Sequence, residues 1–254
     1  MTALIHAEIR KLFTTKLWLW LFITMIGFTA LAVSLGIAFS DNPENEGPGL
    51  DTAAGQRNLF GQPAGAAVIV GVLGIIAVTA EFRHMTATPT FLATPRRGRV
   101  VAAKMITYAG LGIAYAAGAV GVTLAIALPW LAAKGIDVSL GANRIPQTLI
   151  GVGANVAIYA ILGVGLGALL KNQVAAVVGL LVYLLLVGPI LTAINNIRDV
   201  TKFLPHAASS ALVQNTPNSG SALLDQWQGG VVLVAWAVLF AVLGYLLAVR
   251  RDIT

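Results

Sequence analysis

Residues 148–194 read TLIGVGANVAIYAILGVGLGALL, then KNQ, then VAAVVGLLVYLLLVGPILTAI. Two uncharged runs, 148–170 and 174–194, thus flank the triplet Lys171-Asn172-Gln173. Each run has about the 20 residues that a helix needs to cross a hydrocarbon core. Three residues leave room only for a tight turn, so the two runs form an antiparallel helical hairpin in lipid.

The same pattern continues on both sides. Uncharged runs at 17–39, 64–80, 105–131 and 230–249 bring the expected spans to six. The run from Ala64 is the shortest, and Pro129 offers the third a place to bend. Hydrophobic residues make up 57% of the 254 and charged residues 10%, with a mean hydropathy of +0.84. Soluble domains carry roughly a quarter charged residues, and a chain this apolar cannot cover a water-facing exterior. The expected fold is an all-α polytopic membrane protein forming a single transmembrane domain over 1–254. Cysteine is absent, which excludes disulfides, thiolate metal sites and cysteine nucleophiles.

Charge sets the expected orientation. With the N-terminus inside, cytoplasmic segments hold Arg10, Lys11, Lys16, Arg83, Arg96, Arg97, Arg99, Lys104, Lys171, Arg250 and Arg251, 11 of the 16 basic residues. Seven of the ten acidic residues fall outside. The positive-inside rule then favours both termini in the cytoplasm, in the cell inner membrane. The net charge of +6 reflects this bias and is no sign of nucleic-acid binding. Ala38-Phe39-Ser40 resembles a signal-cleavage site, but the apolar run before it is longer than the usual 7–15 residues of a signal core. A retained first span is expected.

Residues 1–16, 81–104 and 195–229, outside the spans, have character of their own. Residues 1–16 form an amphipathic interfacial helix with Ile5, Ile9, Leu12 and Phe13 on one face and Glu8, Arg10, Lys11 and Lys16 mostly elsewhere. Residues 195–229 are expected to hold two short helices, broken at Pro205, lying on or dipping into the outer leaflet. Within the spans, Gly110, Ala114 and Gly118, and also Gly163 and Gly167, recur at the four-residue interval that lets helices pack closely. Internal packing is the expected use.

The chemistry left out is informative. The spans hold no ionisable residue, which disfavours an ion-coupled carrier. Intramembrane protease sites and His-Glu-x-x-His are missing, as is any Gly-x-x-x-x-Gly-Lys-Ser/Thr phosphate loop. No catalytic, metal or cofactor site is expected, and energy for uphill transport would have to come from a partner.

The most polar inner segment is 81–104. Thr88-Pro89 and Thr94-Pro95 pair an N-cap residue with a proline suited to a first helical turn. Phe82, Met85, Phe91 and Leu92 supply apolar knobs, and Arg96, Arg97 and Arg99 open a helix running past Lys104 into the third span. A basic loop serving only topology would explain the arginines but not the breaks or the knobs.

The pattern Glu81-x-Arg83-x-x-Thr86, Phe91-Leu92-x-Thr94-Pro95-x-Arg97 and Lys104 resembles the permeases of type-2 ABC exporters. The likeness extends to the N-terminal helix, with Glu8 and Lys11-Leu12, and to Leu204-Pro205-x-Ala207-Ala208. Met85 is a departure, standing where that family often has glycine. The resemblance implies the transmembrane half of an ATP-driven exporter of amphipathic or lipid-like substrates. It also implies a second permease chain, as a homo- or heterodimer, and two copies of a separate ABC-type ATP-binding subunit holding ATP and Mg. Glu81, Arg83, Thr86, Phe91, Pro95, Arg97 and Lys104 would couple the ATPase to the spans, with Glu81 and Arg83 fixing the inner end of the second. Tyr108, Tyr115, Asn155, Tyr159 and Tyr183 are the few polar or amphipathic handles available in the spans. The runner-up is a non-transporting scaffold or anchor subunit of a larger complex.

Overall fold

An apolar run of about 20 residues satisfies its backbone in lipid when it is helical, because each hydrogen bond then lies within the segment. The computed structural model describes residues 1–42, 47–85, 97–214 and 224–246, and no strand occurs among them. Its helices are α1 (Thr2–Thr14), α2 (Leu17–Ala38), α3 (Ala53–Gly61), α4 (Ala66–Arg83), α5 (Arg97–Ala133) and α6 (Ile145–Leu170). There follow α7 (Gln173–Val182), α8 (Gly188–Ala193), α9 (Arg198–Thr201), α10 (Pro205–Leu212) and α11 (Gln226–Gly244). Among the described residues, six stretches are long and apolar enough to cross a membrane: Leu17–Ala38, Ala53–Arg83, Gly98–Ala133, Ile145–Leu170, Gln173–Ala193 and Gln226–Gly244. The chain is a multi-pass membrane protein.

The second span is longer than its uncharged run. Thr52 caps α3 by accepting from the Gly55 amide at 3.0 Å, and a 3-10 turn over Gln62–Gly65 joins α3 to α4. The last span starts earlier than expected because Asp225 and Gln228 form a capping box. The 171–172 turn is as tight as the sequence requires. Lys171 takes a left-handed φ of 53°, and the Asn172 side chain caps α7 by accepting from the Ala175 amide at 3.1 Å.

Helix α6 stands at the centre, against α4, α5 and α11. Its glycines permit this. A Cβ added at Gly163 would lie 2.1 Å from the Gly71 carbonyl oxygen, and one at Gly167 would lie 2.8 Å from that of Ile75. The expected small-residue packing is therefore internal in these two places. Gly118 faces the Phe22 ring, but Gly110 faces open space and packs nothing.

The fifth span is not one regular helix. Pro189 lacks an amide hydrogen, so the turn before it cannot keep the α pattern, and Tyr183–Val187 winds as a π-helix. The Gly188 amide donates to the Tyr183 carbonyl, five residues back. Beyond it, Tyr159 donates to the Pro205 carbonyl at 3.2 Å, while the Leu212 carbonyl meets α6 at Gly151. Helix α10 therefore runs alongside the spans between the levels of Tyr159 and Gly151, with Pro205 in its first turn.

Candidate functional site: a buried ion cluster

Four charged side chains meet where α1 crosses the ends of α4 and α5. The Lys104 ammonium donates to Glu8 Oε2 at 2.6 Å, to Glu81 Oε1 at 2.8 Å and to the Ala77 carbonyl at 3.2 Å. Its three hydrogens thus have three acceptors. Lys11 donates to Glu8 Oε1 at 2.8 Å and to Glu81 Oε1 at 2.7 Å. Among the described residues, the cluster holds two lysines and two glutamates.

The local sequence places each group. Glu8 and Lys11 stand three apart on α1, hence on one face. Glu81 lies one turn after Ala77 on α4, so carboxylate and carbonyl address Lys104 together. Lys104 sits on the second turn of α5. The side chains of Lys104 and Glu8 are only 4% and 5% exposed, and that of Glu81 is 11% exposed. Charges so shielded are tolerable only when paired and hydrogen-bonded. Lys11 is half exposed and forms the open side of the cluster. Desolvation pulls its pKa down, but the hydrogen bonds and charges of Glu8 and Glu81 outweigh that and leave it raised.

Helix α1 packs on α5 and touches α2, but makes no extended backbone contact with α4. A cavity of about 450 Å³, lined by Lys11, Trp18, Leu73, Ala77, Glu81 and Tyr108, lies beside it. The link from α1 to α4 is therefore ionic. Leu12 is buried, but Ile9 and Phe13 are exposed, while Glu8 from the polar side is the residue driven into the protein. An apolar stripe on a membrane protein can face lipid, whereas Glu8 needs Lys104.

Of the residues expected to couple, Glu81 and Lys104 come together here. Arg83 is exposed at the end of α4 and, among the described residues, does not join the cluster. Arg97 opens α5, but its side chain lies outside the described residues, as do Thr86, Phe91, Leu92 and Pro95. Met85 adopts φ 56°, the left-handed conformation that glycine takes most readily. The expected polar handles are mostly structural. Tyr108, Tyr115, Asn155 and Tyr159 are buried within the chain. Tyr115 donates to the Trp18 carbonyl, and Asn155 Oδ1 accepts from Ser209 at 2.8 Å.

Sequence reasoning passed over Glu8 and Lys11 as members of this site. The signal available was complementary charge alone, Glu8 on the N-terminal helix and Lys104 just before the uncharged run from 105. No family model matches the chain, and no curated protein is significantly similar to it.

Proposed function

We propose that this chain is the transmembrane permease subunit of an ATP-driven ABC-type exporter that moves an amphipathic or lipid-like substrate outward. Both termini lie in the cytoplasm, and separate ATP-binding subunits supply the energy. The observation that carries this reading is the Glu8–Lys11–Glu81–Lys104 cluster. It ties an interfacial helix to the ends of the second and third spans, on either side of segment 86–96. A push on α1 or on that segment is then delivered to both spans at once, as rigid-body coupling requires.

The spans themselves suit movement as packed bodies, since α4, α6 and α11 meet through glycine backbones with little interlocking side-chain bulk. Alternating arrangements need a bistable interface of this kind. Phe91 and Leu92 would seat in a groove of the ATPase.

The test is purification of the tagged chain in mild detergent. An ABC-type ATP-binding polypeptide should accompany it, and the complex should hydrolyse ATP. Replacing both Phe91 and Leu92 with Asp should release that partner while membrane expression is unchanged, because ionised groups would have to be desolvated without partners. Full recovery of the ATPase with the double variant would remove the docking role. A folded chain that recovers other polypeptides and no ATPase would favour the scaffold reading.

A further inference from the structure

Helices α7 and α11 both lean on α6 but make no extended contact with each other. Between them lies a cavity of about 290 Å³. Its floor is a stripe of α6, Tyr159, Leu162, Leu166 and Leu170, at the spacing that keeps side chains on one helix face. One wall carries Leu180 and Tyr183, and the other the stacked rings of Trp236 and Phe240, whose centroids are 5.8 Å apart. Leu204 and Pro205 close the end near Tyr159. The groove opens in the other direction, since Leu162 is 4% exposed and Leu170 is 43% exposed.

Three polar groups touch this space, and each is already engaged. Tyr159 donates to the Pro205 carbonyl at 3.2 Å, Tyr183 accepts from the His206 amide at 3.4 Å, and the Trp236 indole donates to the Phe203 carbonyl at 2.9 Å. The Tyr159 and Trp236 donors are thus used within the chain, and the rest of the lining is mostly aliphatic, which suits an apolar occupant. The stripe from Tyr159 to Leu170 spans eleven helical steps, about 16 Å at the helical rise. That is about half of a hydrocarbon core roughly 30 Å thick, the depth of one leaflet.

We propose that this groove binds a single hydrocarbon chain of a membrane lipid. The methyl end lies against Tyr159 and Tyr183, and the headgroup side emerges at Leu170, in the leaflet at the α1 end. The inference rests on the membrane setting of the six helices and does not depend on the exporter reading.

A phosphatidylcholine carrying a photoactivatable diazirine on one acyl chain, in proteoliposomes of the full-length protein, tests it. A diazirine at the chain terminus should form adducts concentrated on Tyr159, Leu162 and Tyr183, and one near the headgroup on Leu166 and Leu170. Adducts spread evenly over exposed residues such as Ile113, Val178 and Val234 would overturn the proposal. A Cβ added at Gly179, on the groove wall, meets nothing within 4 Å, and the same holds for Gly121 away from the groove. Gly179→Phe should abolish the concentrated adducts, and Gly121→Phe should leave them unchanged. Persistence in Gly179→Phe would refute the site. So would disulfide formation between two copies through cysteines at positions 179 and 234, which would show that a second chain covers the groove.

Discussion

Lys104 Nζ lies 2.6 Å from Glu8 Oε2, joining residues 96 apart in the chain, with both side chains almost wholly shielded from solvent. Such a pair adds little net stability compared with apolar residues of the same shape, but breaking it on one side is costly. Lys104→Met should therefore destabilise the protein by about 3–5 kcal/mol, because the buried Glu8 then keeps, among the described residues, only the half-exposed Lys11 as an ionic partner. Adding Glu8→Gln should restore a substantial part of the loss. Thermal unfolding in detergent across this double-mutant cycle gives the coupling, and strictly additive effects would show that the two groups do not act together. Lys11→Met should cost about 1 kcal/mol or less, as its ammonium is partly solvated.

The glycines divide by environment. Gly163→Ala places a methyl group against the Gly71 carbonyl, so α4 and α6 must separate, at about 1–3 kcal/mol or more. Gly110→Ala meets open space and should stabilise by about 0.5–1 kcal/mol through helix propensity alone. Melting temperatures should move in opposite directions, and a loss at both positions would contradict the packing described.

Met85 at φ 56° occupies a conformation that costs a side-chain-bearing residue roughly 1–2 kcal/mol. Met85→Gly should raise stability by about 1 kcal/mol, less the small entropic disadvantage of glycine in the unfolded chain. A melting temperature that fell with this substitution would mean that the methionine side chain supplies a contact worth more than the strain.

At the opposite end of the bundle, Lys134 donates to the Ile37 carbonyl, to Ser40 Oγ and to Asp41 Oδ2. Hydrogen bonds from Lys134 and Ser40, with the lysine charge, hold the Asp41 carboxyl below the usual carboxylate range. A depressed folded-state value adds stability above the unfolded value of about 3.9, and the contribution is lost as pH falls through the folded value. Amide exchange at Phe39 and Ser40, corrected for intrinsic rates, should stay flat from neutral pH to about 5 and rise only below about 4. Lys134→Met should raise it at every pH, and a rise with falling pH that survives Asp41→Asn would assign the effect elsewhere.

Orientation is tested by single cysteines at positions 45, 84 and 254, probed with an impermeant thiol reagent on intact cells. The basic-residue bias predicts labelling only at position 45. Labelling at 84 from outside would reverse the arrangement.

The six spans were legible from the sequence because each is a local property, a run of apolar residues long enough to cross a bilayer. The hairpin at Lys171-Asn172 was legible for the same reason, since two helices joined by so few residues have only one way to go. The third dimension decided what depends on a partner. Nothing near Glu8 in the chain says that it is buried, because burial of a carboxylate becomes tolerable only when Lys104 arrives from 96 residues away. The inward turn of Tyr159 toward Pro205 is likewise set by where α10 packs. Apolar periodicity could not choose the buried face of α1 either. In lipid, Ile9 and Phe13 lose little by pointing outward, so pairing of charge and not hydrophobicity orients that helix.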